Sequence, residues 1–157
     1  MEGVRTATSG DVARIAELVT AGIEDLAPTR GGKIWAVRDA SAPPHEPRLE
    51  AALTDPSQRL LVGTIDDVVI GYTLGRIEPL RDGTCLGVID DIFVEEGARG
   101  VGVGEAMIGA VLSWFADAGC VGVDAVALPG HRVTKNFFEG SGFTARKIVM
   151  HHRLEPQ

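Results

Sequence analysis

Three glycines at alternate positions are the residues of this sequence whose spacing most clearly indicates chemistry. They occur just before a helical pattern that begins near Glu105, in the run Arg99-Gly100-Val101-Gly102-Val103-Gly104. Because glycine has no Cβ, such a turn lets the backbone approach a ligand closely and adopt torsions closed to other residues. Free amide N–H groups at the start of a helix, together with the positive end of its dipole, bind phosphate groups. The turn therefore predicts a site for a pyrophosphate or similar anion, with Arg99 adding a positive charge at its rim.

The spacing of this turn separates it from two other phosphate motifs. Dinucleotide-binding folds use G-x-G-x-x-G, which fails here because Met107 stands at the third position after Gly104. Nucleoside-triphosphate loops need Gly-Lys-Ser or Gly-Lys-Thr, and neither follows the turn. The pattern that fits is R-x-x-G-x-G, with Arg99, Gly102 and Gly104 at its defining positions.

The elements around the turn predict a βαβ unit inside a larger sheet. A strand ending at Val94, the glycine turn, a helix over Glu105–Ala118 and a strand over Val121–Leu128 follow one another, so two parallel strands share a sheet. Short polar connections join the strands before the turn, as in an antiparallel meander. We therefore expect an α/β (α+β) fold, a single domain over residues 1–157 with a mixed, mostly antiparallel sheet and flanking helices. The other predicted elements are a strand at Val4–Ala7, a helix capped by Thr8 or Ser9 and ending before Pro28, a mobile ligand-facing loop or short helix over 28–47, helical turns over Arg48–Leu53, strands over Leu60–Ile65, Val68–Ile77 and Thr84–Val94, a helix over His131–Glu139 and a strand over Arg146–Leu154.

Length, composition and charge exclude several classes of protein. The chain has 157 residues, 45% of them hydrophobic and 24% charged, which suits one buried core. No apolar run approaches the roughly 18 residues of a membrane span, and the N terminus shows no export signal, so we expect a cytoplasmic protein without membrane contact. A net charge of -7 argues against nucleic acid as a partner. Cys85 and Cys120 indicate reduced, buried thiols, and adjacent His151 and His152 would point to opposite faces of a strand, so no metal site is expected.

With its flanking segments, the glycine turn resembles the acyl-coenzyme A (acyl-CoA) binding motif of the GCN5-related N-acetyltransferase (GNAT) superfamily. The run Asp90-Asp91-Ile92-Phe93-Val94 resembles the acidic and then apolar strand that leads into the turn in that family. The run Asn136-Phe137-Phe138-Glu139-Gly140-Ser141-Gly142-Phe143 resembles the family's later helix and its end. The order of elements also agrees from Val4 to Leu154.

The resemblance implies an acetyl-CoA site in a V-shaped opening, where the strand Thr84–Val94 splays from the strand Val121–Leu128. The pyrophosphate would rest on amides from Gly100 to Gly104. Two cations, Arg132 and Lys135, could approach the phosphorylated nucleotide end, and solvated charges are the alternative interpretation of both. The pantetheine arm would pair with exposed backbone near Ile92, Phe93 and Val94.

Acetyl transfer to an amine requires a base, because an alkyl ammonium with a pKa of about 10.4 is mostly protonated at neutral pH. Successive strand residues point to opposite faces, so only one of Asp90 and Asp91 is expected to face a given cleft. The resemblance favours Asp90 as the base, while Asp91 is expected to accept hydrogen bonds from a neighbouring helix or loop. Glu78 is a second candidate. A structural carboxylate in a buried ion pair is the alternative for either aspartate.

The group that protonates the departing thiolate is left open by the sequence. Phe138 stands where many family members place a tyrosine, and a phenylalanine cannot donate a proton. Water or the substrate could do so, Tyr72 could reach in from across the sheet, or the protein is a poor catalyst. His131 stands where many members carry an asparagine that contacts the cofactor. Trp35 is expected to pack, or to line an acceptor pocket.

Three functions are expected, in a fixed order. The first is an acetyl-CoA dependent N-acetyltransferase that acts on a primary amine of a small molecule or peptide by direct attack in a ternary complex. The second is a noncatalytic acyl-CoA binding module, motivated by Phe138, and the third is a structural interaction domain whose turn binds nothing. Edge strands at the C terminus make a homodimer reasonable.

Overall fold

A mixed sheet of five strands forms the centre of the part of the chain that is described, residues 1–156. Gln157 lies outside the described residues of this computed structural model. The strands are neighbours in chain order; the first four pair antiparallel, and the fifth joins the fourth in parallel. This arrangement confirms the predicted meander followed by a crossover. The strands are β1 (Glu2–Thr6), β2 (Gln58–Ile65), β3 (Val68–Pro79), β4 (Cys85–Val94) and β5 (Val123–Ala125).

Five helices flank this sheet within residues 1–156: α1 (Val12–Leu26), α2 (Gly32–Arg38), α3 (Glu46–Thr54), α4 (Val103–Asp117) and α5 (Arg132–Gly140). α1 forms because its apolar positions, among them Val12, Ile15 and Val19, recur at helical spacing and are buried. α2 is the short helix expected within residues 28–47, and it begins after Gly31, whose φ of +85° lies in the left-handed region. The helices thus agree with the sequence pattern in number and order.

Each face of the sheet has its own apolar core. α1 and α3 pack on one face, where Leu49 and Leu74 are fully buried. α4 packs on the other face through Val111 and Phe115, and burying each such side chain contributes about 1.5–3 kcal/mol. A Cβ added at Gly87 of β4 would lie 2.6 Å from the Phe115 ring, so glycine is needed for this close approach. The packing fixes the position of α4 and of the glycine turn that precedes it.

β4 extends beyond the strand it pairs with in parallel. The three pairs between β4 and β5 are Gly87 with Val123, Val88 with Asp124 and Ile89 with Ala125. β4 then continues to Val94, and within residues 1–156 no strand pairs with residues 90–94 on that side. The predicted opening between the two strands is therefore present.

The fifth strand is shorter than predicted. The sequence indicates a strand over Val121–Leu128, whereas β5 comprises Val123–Ala125 alone. The chain turns away after β5 towards Pro129, and the next residue, Gly130, donates its N–H to the carbonyl of Arg30 at 3.2 Å. Competition from this loop contact ends the pairing with β4 early.

The strand predicted over Arg146–Leu154 is absent from the described residues, so this prediction is wrong. The run Ile148-Val149-Met150 is continuously apolar rather than alternating, so neither face of such a strand would be apolar. These side chains are 71% or more exposed. The predicted homodimer relied on edge strands at the C terminus, and of these only β5 forms.

Candidate active site

A β-bulge at Asp90 interrupts the regular alternation of β4 beside the opening. Leu74 of β3 pairs with Asp91, and the next residue, Gly75, pairs with Ile89, so Asp90 is an extra residue without a partner on β3. As a result, Asp90 and Asp91 line the same cleft. The prediction that only one of the two can face a given cleft is wrong, because it assumed an unbroken period of two.

The Asp90 carboxylate is held by Arg76 of β3. Arg76 Nε lies 3.1 Å and 3.0 Å from the two Asp90 oxygens, and Arg76 Nη1 donates to Glu78 Oε1 at 2.9 Å. Burial raises the pKa of Asp90 above its usual range, since its side chain is only 25% exposed, and the Arg76 charge opposes that rise. Asp90 is therefore an oriented carboxylate that takes up a proton more readily than an exposed one. Glu78 contacts the cleft through Arg76, and not directly.

Asp91 forms an ion pair with α3 on the same side of the sheet. Arg48 Nη1 donates to Asp91 Oδ2 at 2.9 Å, and the Asp91 side chain is 16% exposed. This confirms the prediction that Asp91 accepts a hydrogen bond from a neighbouring helix. Burial raises the pKa of the adjacent Tyr72 well above its usual range, and the Asp91 charge acts in the same direction. Tyr72 therefore keeps its proton at neutral pH while lining the cleft with Asp90.

The cleft lies between the unpaired part of β4 and the helices α1, α2 and α5. Gly22 of α1 makes room for Phe93, because a Cβ there would stand 3.2 Å from the Phe93 ring. Trp35 of α2 lines the cleft, as expected for a residue of an acceptor pocket. Apart from Asp90, Asp91 and a few hydroxyl groups, the walls are apolar and include Ile23, Leu26, Ile92, Val126 and Leu128. The arrangement places two carboxylates in a mostly apolar groove.

The glycine turn leaves its amides open to a ligand. Gly100 and Gly102 have φ values of +85° and +88°, and Gly102 is the N-cap of α4. A Cβ added at either glycine would meet no atom within 4 Å, so the space above the turn is empty of protein. The N–H of Ala106 bonds to Gly102, which leaves the amides of Val103 and Gly104 without an intrahelical acceptor. The turn can therefore accept an anion at the positive end of α4.

Two other residues of the turn have packing roles. The Val103 side chain is 1% exposed and belongs to the core between α4 and the sheet, whereas Val101 is 44% exposed. A Cβ at Gly104 would lie 3.3 Å from the ring of Phe137, so this glycine allows α5 to pack against α4. The alternate glycines thus serve two purposes: open backbone at the first two, close helix packing at the third.

The Arg99 side chain turns away from the glycine turn and crosses β4. Its Nε donates to the carbonyl of Val94 at 2.8 Å, and its Cζ lies 5.4 Å from the centroid of the Phe93 ring. Arg99 Nη2 also lies 3.3 Å from Asp25 Oδ2 of α1, and His131 Nε2 lies 3.8 Å from the same oxygen. The Val94 carbonyl, predicted to pair with a ligand, is therefore satisfied by Arg99 in this structure.

The predicted residues of α5 occupy different surroundings. Phe138 is 5% exposed, lines the cleft and packs against Phe143 with ring centroids 5.2 Å apart. Arg132 and Lys135 are exposed, and Lys135 Nζ forms an ion pair with Glu139 at 3.0 Å. The structure thus brings Phe138 to the cleft and leaves the two cations on the solvent side of the helix.

Three charged residues of the site were missed by the sequence reasoning: Arg76, Arg48 and Asp25. A buried carboxylate needs a partner, so the aspartate pair signalled that two cations must lie near it. The sequence could not say which ones, because Arg48 lies 43 residues from Asp91 and meets it only when α3 packs on the sheet. Asp25 carried no signal of its own.

Searches for two other kinds of function gave negative findings over residues 1–156. No group of three or more His, Cys, Asp or Glu side chains in this part of the chain could hold a metal ion. None of its helices is long and apolar enough to cross a membrane.

An open mixed sheet, a glycine turn at the N terminus of α4 and a carboxylate-lined cleft beside the end of β4 define the class of N-acetyltransferase folds. Residues 22–143 match the acetyltransferase (GNAT) family, and the chain belongs to this family. The resemblance drawn from the sequence is thereby confirmed. A comparison with curated proteins gave no match.

Solved structures share the fold over nearly the whole chain. A tetramutant of the BH1408 protein from Bacillus halodurans has a TM-score of 0.81 at 22% identity, covering 97% of this chain and 99% of that one. AAC(6')-Iy, in complex with the bisubstrate analog CoA-S-monomethyl-acetylneamine, has a TM-score of 0.76 at 19% identity, with 99% of both chains covered. Ribosomal-protein-alanine N-acetyltransferase from Brucella melitensis biovar Abortus 2308 has a TM-score of 0.70 at 17% identity, covering 99% of this chain and 100% of that one. At these identities the likeness establishes the fold alone.

Proposed function

We propose that this chain transfers the acetyl group of acetyl-CoA to a primary amine by direct attack in a ternary complex. The observation that carries the proposal is the continuity of two features along one edge. Residues 90–94 of β4 offer backbone groups without a strand partner, and they lead directly into the open amides of Gly100 and Gly102. Such an edge suits the amide-containing pantetheine arm, and the turn suits the pyrophosphate. The CoA-derived bisubstrate analog held by AAC(6')-Iy supports this choice of substrate.

Asp90 is the base in this proposal. The amine must lose a proton before its nitrogen can attack the thioester carbon, and Asp90 takes that proton directly or through one water. Arg76 holds both carboxylate oxygens, so the carboxylate is oriented before the acceptor arrives. The new C–N bond forms as the C–S bond breaks, and the electron pair of the C–S bond leaves with the CoA sulfur.

Tyr72 is our candidate for protonating the leaving thiolate. It lines the cleft with Asp90, and its raised pKa keeps the phenol protonated. Phe138, which occupies the position expected for a proton donor, contributes only an apolar wall. The reaction then balances: of the two protons that the ammonium loses, one is released through Asp90 and the other restores Tyr72 after the phenol protonates CoA.

The acceptor in this proposal carries a positive charge outside the cleft. Asp90, Asp91 and Glu78 provide three carboxylates near the reacting position, and Arg76 and Arg48 provide two cations. The remaining negative charge attracts an ammonium ion. A primary amine of a small molecule or of a peptide satisfies this requirement.

A noncatalytic acyl-CoA binding module is the second candidate function. Phe138 favours it, because the side chain that would supply the proton on α5 is apolar and 5% exposed. Binding of acetyl-CoA without turnover would support this second candidate. The cytoplasmic location and the homodimer stay predictions.

The test is release of CoA thiol from acetyl-CoA over a panel of amines and peptides. We expect turnover with at least one amine, and a loss of about 10²–10⁴-fold in kcat for Asp90→Asn. Asp117→Asn is the matched control, since Asp117 ends α4 on the far side from the turn and undergoes the same loss of charge. Tight binding without turnover over the whole panel would transfer support to the binding module. Absence of acetyl-CoA binding would contradict both functions.

A further inference from the structure

The two cysteines, 35 residues apart in the sequence, are in contact in the fold. Cys85 Sγ lies 3.3 Å from Cys120 Sγ. Two backbone hydrogen bonds hold their segments together: Val121 N–H donates to the Cys85 carbonyl at 2.9 Å, and Gly87 N–H donates to the Gly122 carbonyl at 2.9 Å. The thiols are therefore kept side by side by the start of the β4–β5 ladder, and their contact does not depend on a mobile segment.

This thiol pair is separate from the proposed active site. Cys85 is the first residue of β4, and Cys120 follows the end of α4, whereas the glycine turn follows the end of β4 and precedes α4. Both side chains are half-buried and free thiols. A reagent in solution can therefore reach them without the fold opening.

We propose that Cys85 and Cys120 form a dithiol site that is reversibly oxidised by a small-molecule disulfide such as glutathione disulfide. In the first step one protein thiolate attacks a glutathione sulfur, giving a mixed disulfide and releasing one glutathione thiol. The second cysteine then attacks the protein sulfur of the mixed disulfide and releases the second glutathione thiol. Both protein thiols lose a proton and an electron, and the glutathione disulfide is reduced to two thiols, so the exchange balances.

The environment of the pair assigns the order of attack. Burial, and then the neighbouring Cys85 sulfur, raise the pKa of Cys120 to about 11, so this thiol keeps its proton at mildly alkaline pH. Cys85 is therefore the attacking residue and Cys120 the resolving one.

Oxidation would tie the beginning of β4 to the segment before β5. The bond would close the crossover that contains the glycine turn and α4, a loop of about 35 residues, which restricts the unfolded chain. It would also reinforce the β4–β5 ladder at the end opposite the cleft. We expect a higher unfolding temperature and slower amide exchange at Val121 and Gly87, both of which donate across this ladder.

The test exposes the reduced, full-length chain to glutathione buffers of graded oxidised-to-reduced ratio, followed by alkylation and intact mass measurement. We expect a product about 2 Da lighter with no alkylated cysteine, restored by dithiothreitol. Its unfolding temperature is expected to rise by about 5 °C or more. Two cysteines that stay alkylatable at every ratio, or a disulfide found only between two chains, would overturn the proposal.

Single serine variants test the order of the two attacks. Cys120→Ser is expected to accumulate one glutathione on Cys85, because the resolving thiol is gone. Cys85→Ser is expected to react at least about tenfold more slowly, because only the less acidic thiol remains. Equal rates for the two variants would overturn the assignment of the attack to Cys85. Both readouts are independent of acetyl transfer, so they stand or fail apart from the proposed function.

Discussion

Gly102→Ala tests the glycine turn most directly. At φ +88° an alanine is strained by about 1–2 kcal/mol, yet its methyl would meet no protein atom within 4 Å. The methyl would instead occupy the empty space beside the amides, where we propose that the pyrophosphate rests. Loss of one hydrogen bond to a charged group is worth about 1.5–3 kcal/mol, which corresponds to a dissociation constant for CoA roughly 10- to 100-fold higher. Isothermal titration with CoA at fixed ionic strength measures it.

Gly83→Ala separates strain from obstruction. Gly83 has a φ of +89°, and a Cβ there would also meet no atom within 4 Å. It lies in the turn between β3 and β4, at the other end of β4 from the glycine turn, about 30 Å along a ten-residue strand. We expect both variants to lose similar unfolding free energy in urea, and only Gly102→Ala to lose CoA affinity. Equal affinities for CoA in the two variants would refute the assignment of the phosphate site.

Three further predictions concern charges. Asp25→Asn removes the acidic partner of Arg99 and should raise CoA affinity by up to about fivefold in the same titration, because an exposed ion pair is worth at most about 1 kcal/mol; weaker binding would contradict this. The acid limb of the kcat/KM profile should lie above the 3.8 of an ordinary aspartate, because Asp90 must be deprotonated to act and its pKa is raised; a limb below that value would exclude Asp90 as the base. Asp11→Asn should lower the free energy of unfolding by up to about 2 kcal/mol near neutral pH, since Arg5 lowers the pKa of Asp11 to about 2. That stability is present above pH 3.8 and is lost as the pH falls towards 2, so urea unfolding should show wild type and variant converging there; a constant difference would contradict the assignment.

The order of elements could be predicted because each strand and helix carries a local signal. The period of apolar residues marks α1 and α4, and the short polar turns mark the strands β2 to β4. The glycines at 100 and 102 could be assigned to an open turn because their φ values require glycine. Where local signals were weak, at Val121–Leu128 and Arg146–Leu154, the predicted strands were too long or absent. Pairing with a distant partner, rather than propensity, decides such segments.

Contacts between segments that are distant in sequence could not be predicted. The contact of Cys85 with Cys120 depends on the register of a parallel crossover, in which each residue's neighbour is set by the length of α4 and its two connections. The same applies to Arg48, which reaches Asp91 only through the packing of α3. The sequence showed that buried carboxylates and thiols exist, and the tertiary structure determined what they touch.

The bulge at Asp90 has the largest consequence of these unpredicted features, because it changes the charge of the cleft. With regular alternation, one aspartate would face the α4 core and the other the cleft. The extra residue turns both carboxylates to the face covered by α1 and α3, and two arginines, Arg76 and Arg48, bind them from different elements. Asp91 is the more enclosed, 16% exposed against 25% for Asp90, and Arg48 joins it to α3. The bulge thus assigns anchoring to Asp91 and leaves Asp90, nearer to solvent and with a raised pKa, as the carboxylate able to exchange a proton with a ligand.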